Sequence, residues 1–151
     1  MIKKLLRTGV LSVVFLSTVV MATEYGSRGQ AMAMAEKAVA LIEEVGIEDA
    51  RMSFETPTGE WHDRDLYVFV YDSTGTVLAH GAKSAMVGRN LYKLSDIDGV
   101  KIIQEFLQIN PGQTGWVNYK WQNPMTKAID KKSSYIIRQN DYLVGVGIHL
   151  D

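Results

Sequence analysis

Residues 66–71 form the stretch that most restricts how this chain can fold. They read Leu-Tyr-Val-Phe-Val-Tyr, and such a run of aromatic, aliphatic and β-branched residues is typical of a β-strand. The sequence Asp72-Ser-Thr-Gly75 follows at once, with Asp at the first and Gly at the last position of a β-turn. Residues 76–80 then predict a returning strand. This hairpin indicates an antiparallel sheet on which the rest of the chain must pack.

The segment before the hairpin is helical in pattern. Apolar residues recur at spacings of three and four from Ala31 to Val45, which predicts one amphipathic helix. Ser27 is placed to cap the start of this helix and Gly46 to end it. Residues 47–55 keep a helical spacing of apolar residues and predict a short second helix.

The segment after the hairpin predicts one more helix and three more strands. Residues 98–109 place apolar side chains on one helical face, and Asn110-Pro111-Gly112 stops that helix. Residues 114–121, 133–139 and 142–150 predict strands. Five mostly antiparallel strands with separate helices define an α+β domain.

The amino-terminal residues 1–22 have the pattern of a signal peptide. Lysines and an arginine precede an apolar stretch over residues 9–20, which is shorter than the roughly 20 residues of a membrane span. Small residues before position 23 predict cleavage after Ala22, and an uncleaved anchor is the alternative. We therefore expect a periplasmic or secreted protein whose domain covers residues 23–151.

Composition and spacing argue against several classes of function. The formal net charge of −1 at pH 7 gives no general affinity for nucleic acid. The chain has no cysteine, and its histidines at 62, 80 and 149 form no metal-binding pair on a helix. No nucleophile elbow or phosphate-binding glycine loop is present, and Asp96-x-Asp98-Gly is better explained as a turn than as a calcium loop. We expect no enzyme, no cofactor and no bound metal.

Several segments resemble, in the same order, the single Cache domain family of type 2. They are the hairpin over residues 66–80, residues 88–91 and 96–99 in the loop before the crossover helix, residues 115–124 in the central strand and its turn, and residues 132–135 and 145–148 in the last two strands. The resemblance runs from about Ala31 to the end of the chain. It implies a PAS-like fold with a five-stranded antiparallel sheet and a long amino-terminal helix. It also implies extracytoplasmic sensing, usually of small organic acids.

The resemblance has one departure. Cache domains usually lie between two membrane helices of a chemoreceptor or sensor kinase, and no second apolar segment or output domain follows the last predicted strand. We therefore expect a free-standing sensing module whose partner is a membrane receptor or sensor kinase. The alternative is a protein-interaction module without a small ligand, which pairs with a receptor or forms a homodimer through its amino-terminal helix. An alanine and methionine stripe over residues 31–38 could present that surface.

Candidate ligand-binding residues lie mainly on the predicted strands. A pocket for a small carboxylate needs apolar or aromatic walls and a few polar groups that fix the charged end of the ligand. Strand alternation gives Tyr67, Phe69 and Tyr71 a common face, and it does the same for Tyr119 and Trp121. The candidates for walls and polar partners are Tyr67, Phe69, His80, Arg89, Tyr119, Trp121 and Lys132.

Each candidate has a purely structural alternative. The aromatic residues could be core residues, and His80, expected on the same face as Leu78, could be a satisfied buried histidine. Arg89 lies in a loop, where arginines are usually solvated. Lys131 and Lys132 should point to opposite faces, and Lys132 is chosen because it matches the family motif.

Overall fold

The computed structural model describes residues 25–150, so the predicted signal peptide at residues 1–22 lies outside the described part. The helices are α1 (Arg28–Val45), α2 (Ile47–Glu55) and α3 (Ile102–Leu107), and a 3₁₀ turn covers Ser84–Met86. The strands are β1 (His62–Asp63), β2 (Leu66–Asp72), β3 (Val77–His80), β4 (Thr114–Gln122), β5 (Ile129–Arg138) and β6 (Tyr142–Leu150).

Helix α1 begins and ends at the predicted residues. Ser27 N donates to Gln30 Oε1 at 2.9 Å and Gln30 N donates to Ser27 Oγ at 3.2 Å, a reciprocal capping box. Gly46 ends the helix with a φ of 82°, a left-handed conformation that glycine adopts without strain. Both ends are therefore fixed by local chemistry that is visible in the sequence.

The alanine stripe of α1 belongs to the core. Ala31, Ala35 and Ala38 have no exposed surface, because α1 packs along strands β5 and β6 of the sheet. These alanines are therefore not available as a surface for a partner. Homodimer formation through the outer side of α1, where Met32 is exposed, stays a prediction.

The strands form an antiparallel sheet in the order β2-β6-β5-β4, and both β3 and the two-residue β1 pair with β2. Strand β6 lies in the centre, paired with β2 on one side and β5 on the other. The prediction of an α+β fold with a long first helix and an antiparallel sheet is confirmed.

The two faces of the sheet bury separate cores. Helices α1 and α2 cover the first face, which carries alternate residues such as Val68 and Val70 of β2. We call the second face the aromatic face, because β2 presents Tyr67, Phe69 and Tyr71 there under α3. The alternation expected for β2 and β4 is confirmed, since Tyr119 also packs in this second core.

Helix α3 is shorter than the sequence predicts. A turn occupies residues 96–100, in which Asp96 Oδ1 accepts hydrogen bonds from the N–H groups of Asp98 and Val100 at 2.9 Å. Asp96 Oδ2 accepts from Lys120 N at 2.8 Å, which fastens the turn to β4. The helix starts only after this turn, so the predicted start at residue 98 was wrong, while the turn itself was expected.

Strand β3 contains a β-bulge that changes the expected facing of its side chains. Tyr71 pairs with Val77 and the preceding residue of β2, Val70, pairs with Ala79, so Leu78 is an extra residue in the ladder. Leu78 therefore packs with the helix-side core, whereas His80 lies on the aromatic face opposite Phe69. The prediction that Leu78 and His80 share a face was wrong.

Candidate functional site

A small cavity lies between the aromatic face and α3. Its free volume is about 10 Å³, which is roughly the space needed for one water molecule. Most of its wall is aromatic, and the rest comes from His80 and aliphatic residues between positions 94 and 103. The aromatic wall residues are Tyr67, Phe69, Tyr71, Phe106, Tyr119 and Trp121.

The aromatic rings hold one another in place. Phe69 stacks on Phe106 with 5.6 Å between ring centroids, and Phe106 meets Tyr119 edge-on at 5.5 Å. Tyr67 lies 5.1 Å from the His80 ring. Such ring pairs favour offset or edge-to-face geometry, so the walls form a preorganised aromatic box.

His80 is a neutral group of this box. Its Nδ1 accepts a hydrogen bond from Lys83 N at 3.1 Å, which leaves the proton of the neutral ring on Nε2. Burial lowers the pKa of His80 to about 3, and the charges of Lys132 and Lys83 add to this effect. At neutral pH the ring is therefore uncharged and can act as a hydrogen-bond donor.

Lys132 is a buried cation without a hydrogen-bond partner among the described residues. Its side chain is 1% exposed, and its Nζ lies 3.9 Å from the centroid of the Tyr67 ring and 5.8 Å from that of Phe69. Burial lowers the pKa of Lys132 to about 7, and the charge of Asp65 partly opposes this change. The ammonium is thus held by aromatic faces rather than by a counter-ion.

Lys132 adjoins the cavity without lining it. The ring of Tyr67, which does line the cavity, is the nearest wall to the Lys132 ammonium. Lys132 also borders a surface groove of about 380 Å³ together with Tyr119, Arg28 and Lys120. The ammonium nitrogen itself is buried, so it is exposed neither to the cavity nor to the groove.

Two glycines of β6 explain how Lys132 reaches Tyr67. Strand β6 lies between β5 and β2, and a Cβ at Gly147 would overlap Lys132 Cε and Ser134 Oγ. A Cβ at Gly145 would likewise overlap the ring of Phe69. The absent side chains let Lys132 and Phe69 lie across β6, which is one reason for glycine inside a strand.

Tyr119 and Trp121 approach the cavity from β4. The Tyr119 hydroxyl is hydrogen-bonded to Ser134 Oγ at 2.8 Å, and both residues are buried. Burial raises the pKa of Tyr119, so its hydroxyl stays protonated at physiological pH. Trp121 is half-buried, with its ring 6.4 Å from that of His80 and 5.6 Å from Lys83 Nζ.

The structure brings together six of the seven residues proposed from the sequence. Tyr67, Phe69, His80, Tyr119 and Trp121 line one cavity, and Lys132 lies on the ring of Tyr67. It does not bring Arg89 to them. Arg89 is exposed on the loop after the 3₁₀ turn, where its N–H donates to Met86 O and its carbonyl accepts from Val77 N.

Sequence reasoning missed a buried acid beside Lys132. Asp65 is fully buried and accepts hydrogen bonds from Gly26 N and His149 N, each at 2.6 Å. Burial alone would raise the pKa of Asp65, but these bonds and the His149 side chain outweigh it and lower the pKa. The only sequence signal was an acidic residue directly before a strongly apolar strand.

The part of the chain between residues 25 and 150 offers no metal site and no membrane helix. No three histidine, aspartate or glutamate side chains in it are grouped to hold a metal ion. No helix in the same range is long and apolar enough to cross a membrane.

The fold is that of a PAS-like domain, with α1 and α2 on one face of an antiparallel sheet and the aromatic cavity under α3 on the other. A family model of the Cache domain matches residues 30–151, and the chain belongs to this family. The resemblance noted in the sequence is thereby confirmed.

Similar proteins are sensors. Over 92 residues the chain is 36% identical to the sensor histidine kinase MctS of Rhizobium johnstonii, a match that covers 60% of this chain but only 20% of the kinase. The crystal structure of a methyl-accepting chemotaxis protein from Vibrio parahaemolyticus is 26% identical, with a TM-score of 0.70 over 82% of this chain and 88% of that one. The solved structure of a Cache chemosensory domain that recognises carboxylic acids is 19% identical, with a TM-score of 0.70 over 82% and 92% of the two chains, and so has the same fold.

Cache domains are extracytoplasmic sensor domains of chemotaxis receptors and histidine kinases rather than enzymes. The general expectation of a sensing domain therefore agrees with the family.

Proposed function

We propose that this domain binds a small organic acid outside the cytoplasm and that a membrane receptor or sensor kinase reads the bound state. The observation that carries this proposal is the buried Lys132 ammonium beside the aromatic cavity, which finds no hydrogen-bond partner among residues 25–150. A buried ion without a partner is costly, typically by several kcal/mol. A ligand carboxylate would supply the missing charge and hydrogen-bond acceptor.

The walls suit the rest of such a ligand. Aromatic rings would enclose a short aliphatic chain, while the His80 Nε2–H and the Tyr119 hydroxyl are polar groups at the same cavity. The free volume of about 10 Å³ holds about one water molecule, so even a short acid requires the aromatic walls to move apart on binding. Trp121 also borders an outer groove of about 230 Å³, which gives a longer chain a way out of the cavity.

Thermal unfolding with matched probes tests the charge of the ligand. Acetate and propionate should raise the Tm of the protein dose-dependently, whereas acetamide, which is neutral, and methylammonium, which is cationic, should not. A ligand at a hundredfold excess over its Kd adds about 2.7 kcal/mol to the free energy of unfolding. Equal stabilisation by acetamide or methylammonium would contradict the proposal of a carboxylate.

Three variants locate the site. Lys132→Met should abolish the Tm rise with acetate, because it removes the cation and keeps an apolar side chain of similar length. Arg89→Ala removes an exposed cation that does not line the cavity and should leave the rise unchanged. Arg28→Met removes a cation of the surface groove of about 380 Å³ that Lys132 borders. Loss of binding in Arg28→Met alone would place the ligand in that groove and contradict the cavity.

The location of the domain is proposed from the sequence. Residues 1–22 would direct export and be removed after Ala22, which leaves a domain of residues 23–151. Mass spectrometry of the protein recovered from the periplasm should give an amino terminus at position 23. A retained Met1 in a membrane fraction would indicate an anchor instead.

A further inference from the structure

The buried layer that holds Lys132 also holds Asp65 and His149. Lys132 and His149 are direct partners in the ladder between β5 and β6. His149 N donates to Asp65 Oδ2 at 2.6 Å, and His149 Nδ1 lies 3.4 Å from the same oxygen. All three residues are at most 3% exposed, so the charges of Lys132 and Asp65 act on each other with little screening by water.

Asp65 supplies the negative charge in the surroundings of Lys132. The groups that face Lys132 are Tyr67 and Asp65 from β2 and its approach, His149 from β6, Tyr119 from β4 and His80 from β3. The two tyrosines and His80 are neutral at physiological pH, because burial raises the pKa values of both tyrosines and lowers that of His80. Among these described neighbours, Asp65 is the one group that carries a negative charge.

Asp65 is also held at a distance from the Lys132 ammonium. Its two oxygens are occupied by the N–H groups of Gly26 and His149, and no hydrogen bond joins it to Lys132 Nζ. Both of those donors belong to the backbone, which fixes the carboxylate in place. The charge is therefore near enough to favour the ammonium without occupying the position of a ligand.

We propose that Asp65 is a positioning residue, which keeps the buried Lys132 in its charged form and leaves its ammonium free for an anionic ligand. This inference rests on the proposed function and assigns a role to a residue that would not touch the ligand. The direction of the electrostatic effect supports it, because burial lowers the pKa of Lys132 to about 7 and Asp65 raises it. Without Asp65, Lys132 would lose its proton below neutral pH.

A titration of Lys132 without any ligand tests the proposal directly. The ¹³C signal of Lys132 Cε, assigned by its loss in Lys132→Met, should titrate near pH 7 in the wild-type protein. In Asp65→Asn the midpoint should fall by at least about one pH unit, the low end of the effect of a neighbouring opposite charge. An unchanged midpoint in folded Asp65→Asn would overturn the proposal.

Two further variants separate the charge of Asp65 from its structural role. Asp65→Glu keeps the charge and should restore a midpoint near that of the wild type, even if both Asp65 variants lower the Tm. Asp63→Asn removes a carboxylate two positions away that is paired with Arg64, and it should leave the Lys132 midpoint unchanged. A fall in the midpoint as large in Asp65→Glu or Asp63→Asn as in Asp65→Asn would contradict the assignment.

Binding of acetate then distinguishes failure of this inference from failure of the proposed function. Between pH 5.5 and 8.5 acetate stays largely ionised, so its affinity for the wild-type protein should fall up to tenfold per pH unit above about pH 7. In Asp65→Asn the same fall should begin at least about one unit lower, with near-normal affinity at pH 5.5. Failure of the wild type to bind acetate would overturn the proposed function alone, whereas identical pH profiles would overturn the role of Asp65.

Discussion

Replacement of Gly147 by alanine tests whether the bare surface of β6 allows Lys132 to reach Tyr67. The added methyl group would occupy space that Lys132 Cε and Ser134 Oγ fill. Lys132 would have to shift on the Tyr67 ring, and Ser134 would have to turn away from the Tyr119 hydroxyl. Both movements disturb the buried layer under the cavity.

The expected magnitude follows from these two movements. Inserting a methyl group into a packed core costs about 1–3 kcal/mol, and losing the Tyr119–Ser134 hydrogen bond adds about 1 kcal/mol. For a domain of this size the sum corresponds to a Tm lower by about 5–15 °C. Acetate affinity should fall at least about tenfold, since displacement of the ammonium by one ångström or more removes its contact with the ligand.

Thermal unfolding and acetate titration of Gly147→Ala are the assays, with Gly29→Ala as the matched control. A methyl group at Gly29 would meet only Ser27 Oγ, at 4.0 Å, and alanine is favoured over glycine in a helix by about 0.5–1 kcal/mol. The same chemical change should therefore stabilise α1 and destabilise β6. If Gly147→Ala kept the wild-type Tm and acetate affinity, the explanation of how Lys132 is positioned would be refuted.

Other perturbations have equally definite outcomes, all measurable by urea denaturation. Ser27→Ala should lower the free energy of unfolding by about 1 kcal/mol through loss of the capping box, whereas Ser27→Asp should stay close to the wild type. The free energy of unfolding should rise by about 2 kcal/mol from pH 7 to pH 9, because folded Lys132 loses its proton above about pH 7 while unfolded lysine keeps it; Lys132→Met should remove this rise. The free energy of unfolding should fall by about 2 kcal/mol from pH 7 to pH 4.5 because of His80. In the unfolded chain His80 takes up a proton near pH 6.5, whereas in the folded protein its pKa of about 3 keeps it unprotonated over this range. This acid sensitivity should decrease in His80→Phe, and an equal fall in that variant would contradict the role of His80.

The features that the sequence predicts correctly have local causes. The capping box at Ser27, the left-handed Gly46 and the alternation of Tyr67 and Phe69 each depend on residues within a few positions of one another. The family resemblance then supplies the PAS-like fold, with a five-stranded antiparallel sheet and a long first helix, as an expectation. Local chemistry and family pattern together account for most of the fold and for the aromatic walls of the site.

The features that the sequence does not predict depend on pairing between distant segments. Asp65 meets His149 across 84 positions, and this contact exists only because β2 and β6 are neighbours in a particular register. The bulge at Leu78 adds one residue to a ladder, which no alternation rule locates in advance. Alternation places Lys131 and Lys132 on opposite faces without telling which of them is buried. The lack of a hydrogen-bond partner for Lys132 among the described residues likewise follows from its three-dimensional surroundings.

The central place of β6 has a consequence for how the chain reaches its folded state. Strand β6, residues 142–150, pairs with β2 on one side and with β5 on the other. Until these residues have been synthesised, the strand that joins the two halves of the sheet is missing. Such late, long-range pairing slows folding, because the entropy of closing a large loop is lost before the strand contacts form. A chain whose sheet closes only with its final strand cannot complete its fold until residues 142–150 have been synthesised.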